Sequence, residues 1–139
     1  MSELAAAQIP KPADEQAFER ANEVLWQKLL NDPSASLYGR RGQAQFGVDI
    51  VGKSDGDPNK VVGIQCKLKS EHQKLTEDEV RAEVEKARRF RPALHRYVIV
   101  TTAPDDASLT TLALELSQEL SRNQESPFSV QVMGWQALE

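Results

Sequence analysis

The sequence predicts an α/β fold in which helices cover both faces of a central mixed sheet. Three segments carry apolar residues at the 3- and 4-residue spacing of amphipathic helices, and the segments between them are rich in β-branched residues. The elements run in the order helix, two or three strands, helix, strand, helix, strand. This order excludes an all-β sandwich and an up-and-down helical bundle.

The first predicted helix begins after Asp14, whose carboxylate is a favourable N-cap. It ends before Asp32-Pro33, because the residue that precedes a proline is disfavoured in the helical conformation. Between these limits the apolar residues fall on one face, namely Phe18, Ala21, Val24, Leu25 and Leu29.

Two strands are predicted in the next part of the chain. A glycine-punctuated run over residues 39–47 leads into a short strand over residues 48–51, and a turn over residues 52–59 follows. Residues 60–68 alternate as a strand does, so Gln65 and Lys67 project from the same face.

A second helix and a buried strand follow. Thr76 and Glu79 have the spacing of a capping box, and the helix that they open must stop near Arg91-Pro92. Residues 97–102 are interpreted as a continuous buried strand, which is typical of a sheet that is covered on both faces.

The last elements are a third helix and a final strand. Asp105 or Asp106 caps the helix, and residues 128–133 form the strand. The chain stops just after Trp135, where a further helix could start, so we expect it to be the N-terminal part of a longer protein.

Length and composition predict a single domain over residues 14–139, preceded by a loosely held arm over residues 1–13. The 139 residues, 40% of them apolar, suffice for one core. No apolar run is long enough to span a membrane, and no secretory signal is present. The single cysteine, Cys66, excludes a disulfide scaffold and a structural zinc site. We therefore expect a cytoplasmic protein.

The net charge of −4 conceals a basic middle. Residues 37–91 contain 12 of the 17 lysines and arginines but 9 of the 21 acids, a local net charge of +3, and the remainder carries −7. A basic middle can bind a polyanion if it forms one face of the fold.

Asp49, Gln65 and Lys67 form the pattern that points to chemistry. If two adjacent strands bring them together in register, a carboxylate and an amide oxygen can bind a hard divalent cation such as Mg²⁺. A neighbouring lysine can orient a water molecule or help to deprotonate it. Together these groups suit the hydrolysis of a phosphodiester.

These motifs resemble the PD-(D/E)xK nuclease superfamily, and Gln65-Cys66-Lys67 resembles the Gln-x-Lys variant of Mrr-like restriction endonucleases. The resemblance implies a restriction-endonuclease-like α-β-β-β-α-β core and a Mg²⁺-dependent DNA endonuclease, in which Mn²⁺ can substitute. It implies Asp49, Gln65, Lys67 and Glu19 as catalytic residues and Asp49, Gln65 and Glu19 as metal ligands. Glu19 is assigned because it follows Phe18, as in the family's Phe-Glu pair, and Glu23 is the alternative.

The segments that flank these motifs resemble, more narrowly, the N-terminal nuclease effector domain of bacterial NTPase-linked antiphage defence proteins. That resemblance rests on Phe18-Glu19, residues 38–43, residues 47–50 and residues 63–67. It implies double-stranded DNA as the substrate and a homodimer or higher oligomer, because cutting both strands needs two sites.

Two alternatives remain open from the sequence. Gln65 is uncharged where the superfamily more often has an acid, which is compatible with an inactive module that binds nucleic acid or a partner protein. RNA or branched DNA is a further possible substrate.

The polar residues of the glycine-flanked loop either contact phosphates or maintain the loop's shape. These residues are Arg40, Arg41, Gln43 and Gln45.

Overall fold

A five-stranded mixed sheet forms the centre of the fold. The computed structural model describes residues 11–12, 14–39, 45–122 and 127–138. The strands lie in chain order across the sheet: β1, β2 and β3 are antiparallel neighbours, and β3, β4 and β5 are parallel neighbours. The strands are β1 (Ser36–Leu37), β2 (Ile50–Lys53), β3 (Val61–Lys67), β4 (Arg96–Thr101) and β5 (Ser129–Met133).

Helices cover both faces of this sheet, which confirms the predicted α/β class and the α-β-β-β-α-β core. The helices are α1 (Glu15–Leu29), α2 (Glu77–Ala87), α3 (Ala107–Ser121) and the short α4 (Trp135–Leu138), and a 3₁₀ turn spans Ser54–Gly56. None of the helices within the described ranges is long and apolar enough to cross a membrane. Of the predicted arm, residues 1–10 and 13 lie outside the described part of the chain.

Side-chain oxygens explain where the three long helices begin. Asp14 accepts a hydrogen bond from the Ala17 amide, and Asp106, rather than Asp105, accepts one from the Ser108 amide. Thr76 and Glu79 form the predicted capping box at the start of α2.

Two cores lie on the two faces of the sheet. On the α1 and α4 side, Phe18 and Trp26 pack against even-numbered residues of β3. On the α2 and α3 side, Val80 and Leu112 pack against Tyr97 and Ile99 of β4. Because strand side chains alternate, Gln65 and Lys67 face the α2 side of the sheet.

The strand predicted over residues 48–51 begins later and extends further, from Ile50 to Lys53. It begins later because Gly47 has a φ of +71° and the Val48 amide donates to the Gln45 carbonyl, so the backbone is still turning. It extends further because Gly52 and Lys53 pair with Val62 and Val61 of β3. A side chain at Gly52 would not fit, since its Cβ would meet Leu30 Cδ1 at 2.7 Å. The predicted turn over residues 52–59 was therefore wrong at its first two positions.

Candidate active site

The backbone at the start of β2 fixes the Asp49 side chain. The Asp49 amide donates to the Ile64 carbonyl at 2.8 Å, and the Asp49 carbonyl accepts from the Tyr38 amide at 2.7 Å. Oδ2 of its carboxylate accepts from the Cys66 amide at 2.9 Å. Because Ile50 pairs with Ile64 in antiparallel register, Asp49 lies beside Gln65.

Gln65 presents an amide oxygen that no described residue uses. The residue is half-buried, and its Oε1 is buried without a hydrogen-bond partner in the described part of the chain. Buried side-chain oxygens in folded proteins nearly always have a partner. This unpartnered oxygen beside Asp49 is therefore suited to a ligand.

Lys67 lies two residues further along β3, on the same face as Gln65. Its charge acts on Asp49, and its Nζ lies 2.7 Å from Oε2 of Glu83 on α2. The structure thus brings Asp49, Gln65 and Lys67 together, in the arrangement that two adjacent strands were expected to give.

The first helix carries the two acids that the sequence offered for the site, Glu19 and Glu23, and they have different surroundings. Burial and the charges of Asp49 and Glu15 raise the pKa of Glu19, which places Glu19 within electrostatic reach of Asp49. Glu23 instead accepts a hydrogen bond from the Leu37 amide at 3.0 Å and so ties α1 to β1. Glu23 is thus engaged by the backbone of β1, whereas the charges of Asp49 and Glu15 act on Glu19.

The electrostatics of Asp49 combine opposing effects. Burial, above all, raises the pKa of its carboxyl group, and the charges of Glu15 and Glu83 add to that rise. The hydrogen bond from the Cys66 amide and the charge of Lys67 act in the opposite direction, but the net pKa is raised. A cation bound here would relieve the repulsion between these carboxylates.

The donor set fits a hard divalent cation. Within the described ranges, no three Asp, Glu, His or Cys side chains converge to hold a metal ion. The oxygens at hand are those of Asp49 and Gln65, with Glu19 nearby. Mg²⁺ is commonly bound by one or two carboxylates and completes its coordination with water or phosphate oxygens, so these residues suit it.

Glu83 was not singled out from the sequence, yet it lies at this site. It is 5% exposed, and its Oε1 has no hydrogen-bond partner among the described residues. A sequence signal does exist: Glu83 falls on the apolar stripe of α2, between Val80, Val84 and Ala87. An acid on the buried face of a helix needs an explanation, because burying a charge is costly.

A tight turn precedes Asp49 and packs against α2. The Tyr97 hydroxyl donates to the Gly47 carbonyl at 2.5 Å. A Cβ at Gly47 would lie 3.0 Å from the Glu83 carbonyl oxygen and 3.2 Å from its Oε1. Gly47 is thus required both by its φ and by this close approach.

The residues predicted to contact nucleic acid are only partly described. Arg40, Arg41 and Gln43 lie outside the described residues. Gln45 is described, and its Nε2 donates to the Tyr38 carbonyl at 2.8 Å. For Gln45 the geometry favours the structural alternative, in which the side chain maintains the shape of the loop.

Comparison with models of protein families gives a match over most of the chain. A family model described as restriction endonuclease, Mrr_cat_2, matches residues 13–138. No curated protein and no solved structure matches the chain. The matched range contains every helix and strand described above, together with the Asp49, Gln65 and Lys67 cluster.

Proposed function

The chain belongs to the restriction endonuclease family Mrr_cat_2, and from this membership we propose that it is a metal-dependent endonuclease of the PD-(D/E)xK type. Its proposed catalytic residues are Asp49, Gln65, Lys67 and Glu19. One observation supports this most strongly: Asp49 is fixed by the Cys66 amide beside a buried Gln65 oxygen that has no described partner.

The proposed cofactor is Mg²⁺, for which Mn²⁺ can substitute, held by Asp49, Gln65 and Glu19. Such a cation, when bound, neutralises charge on the scissile phosphate and makes water a stronger nucleophile. Gln65 contributes an oxygen without charge, so Asp49 and Glu19 must supply the negative charge that attracts the cation.

Lys67 has the role of binding and orienting the reacting groups. Its ammonium group can donate hydrogen bonds to a phosphate oxygen and to the attacking water, and it favours the build-up of negative charge in the transition state. The water oxygen bonds to phosphorus, one bridging P–O bond breaks, and the departing oxygen takes up a proton. The products are a phosphomonoester and an alcohol.

Double-stranded DNA is the proposed substrate. The positive balance of residues 37–91 supports a polyanionic ligand, and Arg40, Arg41, Gln43 and Gln45 remain the proposed contacts. We further propose a homodimer or higher oligomer, since two sites are needed to cut both strands. The proposed setting is the cytoplasm, as the effector part of a longer bacterial antiphage defence protein.

A second candidate function is a binding module that has lost catalysis. The uncharged Gln65 favours it, because it lowers the charge available to a cation. Such a module would bind nucleic acid without Mg²⁺, with an affinity that falls steeply with salt. It would not nick DNA at any protein concentration.

Cleavage of supercoiled plasmid in Mg²⁺, Mn²⁺ or EDTA tests the proposal. The variant is Lys67→Ala, and the matched control is Lys60→Ala, which removes the same charge just before the opposite end of β3, where the side chain is exposed. We expect metal-dependent cleavage that Lys67→Ala abolishes and Lys60→Ala retains. Cleavage by Lys67→Ala at the wild-type rate would refute the proposed role of this site.

A panel of substrates then separates the possible nucleic acids. Linear duplex, single-stranded DNA, branched DNA and RNA are compared at equal protein concentration. Faster cleavage of the linear duplex would support double-stranded DNA as the substrate. Faster cleavage of RNA or branched DNA would show that double-stranded DNA is not the preferred substrate.

A further inference from the structure

Glu83 makes an ion pair that ordinary packing does not explain. It lies on the sheet-facing side of α2, and its Oε2 is 2.7 Å from Lys67 Nζ. A second lysine, Lys86, lies further away at 3.5 Å, and its side chain is largely exposed. Lys67 is therefore the principal partner of a buried carboxylate.

Only half of the Glu83 carboxylate is satisfied by the described residues. Oε2 forms ion pairs with Lys67 and Lys86, whereas Oε1 is buried and has no hydrogen-bond partner among the described residues. A buried ion pair is weak evidence of stabilisation, since desolvation cancels much of the attraction between the charges. An apolar residue would pack at this position at least as well as Glu83 does. Glu83 is therefore better explained by a role in the candidate active site than by a role in stability.

A neighbouring ion pair between the same two parts of the chain provides the comparison. Lys69, just beyond β3, lies 2.6 Å from Glu79 on α2. Glu79 also accepts hydrogen bonds from the Thr76 amide and hydroxyl, so its role in the helix cap is clear. Glu83 caps nothing, and its closest partner is the lysine of the candidate active site.

The position of Lys67 determines what Asp49 can bind. The charge of Lys67 already acts on Asp49, so the two side chains are within electrostatic reach. If Lys67 were released from Glu83, its ammonium group could pair with the Asp49 carboxylate directly. That pairing would occupy an oxygen that a divalent cation needs.

We propose that Glu83 is a positioning residue that holds the Lys67 ammonium away from Asp49, so that the Asp49 carboxylate stays open to a divalent cation. The inference rests on the proposed function and adds a residue to its site. Glu83 acts through Lys67 and contacts neither the cation nor the substrate.

A double-mutant cycle on Mn²⁺ affinity tests this role without relying on activity. Calorimetric titration of Mn²⁺, without DNA, is carried out on the wild type, Glu83→Gln, Lys67→Met and the double variant. We expect Glu83→Gln to weaken Mn²⁺ binding roughly 10-fold, as is common for groups that orient a metal site. In the Lys67→Met background the same change should alter affinity by less than about 2-fold, because Lys67 is no longer there to move.

Equal weakening in both backgrounds would overturn the inference, since Glu83 would then act on the cation directly. The matched control is Glu85→Gln, which removes an exposed acid that pairs with Arg88 on the same helix. We expect it to leave Mn²⁺ affinity unchanged. A wild type that binds no Mn²⁺ and cleaves no substrate would instead refute the proposed function itself.

NMR of lysine ammonium groups gives a second readout, which is taken first on the wild type and to that extent needs no variant to fold. Ammonium protons held in an ion pair that is shielded from solvent exchange slowly, and Lys69, whose side chain is 14% exposed and pairs with Glu79, serves as the internal reference. We expect a resolved Lys67 signal in the wild type, lost in Glu83→Gln while the Lys69 signal persists. A wild type that shows Lys69 but not Lys67 would overturn the inference.

Discussion

Gly47→Ala perturbs the turn that positions Asp49. Gly47 has a φ of +71°, in the left-handed region that L-residues avoid. The new Cβ would lie 3.0 Å from the Glu83 carbonyl oxygen, 3.2 Å from Glu83 Oε1 and 3.2 Å from Lys86 Cβ. The carbonyl belongs to the backbone of α2, so it cannot move aside as the end of a flexible side chain would.

The magnitude follows from two separable costs. The left-handed conformation costs an alanine about 1–2 kcal/mol. Forcing an extra methyl group into a packed region costs about 1–3 kcal/mol more. Gly56→Ala isolates the first cost, because Gly56 also has a φ of +71° but no atom lies within 4 Å of its added Cβ.

Urea unfolding of both variants, followed by circular dichroism, measures the two costs. We expect Gly47→Ala to lower the free energy of unfolding by about 1–3 kcal/mol more than Gly56→Ala does. Gly47→Ala should also weaken Mn²⁺ binding, because the turn carries Asp49, whereas Gly56→Ala should not. Equal destabilisation by the two substitutions would refute the close packing of this turn against α2.

Three further predictions concern the same cluster. The pKa of Asp49 is higher in the folded protein than in the unfolded chain, so the folded protein binds more protons at pH values between these two pKa values. The contribution of Asp49 to the stability of the metal-free protein therefore falls as the pH rises from the lower pKa to the higher one. Asp49→Asn should therefore raise the free energy of unfolding at neutral pH by roughly 1 kcal/mol, a gain that fades in acid and that thermal unfolding across pH measures. Gln65→Glu adds a charged oxygen and should tighten Mn²⁺ binding on the order of tenfold, as calorimetry would show; unchanged affinity would contradict a ligand role. Tyr97→Phe leaves the Gly47 carbonyl unpaired and should cost about 1 kcal/mol in urea unfolding, while Tyr38→Phe, whose hydroxyl has no hydrogen bond to the described residues, should cost little.

Local signals were sufficient to predict where the main elements lie. They did not predict the buried face of α1, where Asn22 and Trp26 are buried with Phe18, whereas Val24 and Leu29 of the predicted apolar face are exposed. The caps at Asp14 and Thr76 depend only on residues three positions away, so spacing in the sequence reveals them. The alternation that placed Gln65 and Lys67 on one face is equally local, and the structure agrees with it.

The end of β2 was misplaced because the reason for it is not local. Gly52 was interpreted as a turn residue, but it is a strand glycine that makes room for Leu30 at the end of α1. A contact between segments so far apart in the chain leaves no signature beyond the glycine itself. Glu83 did leave a signal, its place on the apolar stripe of α2, but its partner Lys67 comes from another element and spacing does not reveal the pair.

The sequence led to Glu19 rather than Glu23 only through the resemblance of Phe18-Glu19 to the family's Phe-Glu pair. Both acids lie on α1, one turn apart, and spacing does not separate them. The structure adds that the Leu37 amide engages Glu23, while burial and the charges of Asp49 and Glu15 raise the pKa of Glu19.

Mn²⁺ binding to the wild type and to Asp49→Asn tests the central claim most directly. The matched control is Asp78→Asn, which removes the same charge from an exposed position in the first turn of α2. The proposed site predicts saturable binding by the wild type and by Asp78→Asn, and none by Asp49→Asn. Equal binding by all three proteins would contradict a metal site at Asp49, and with it the proposed catalytic centre.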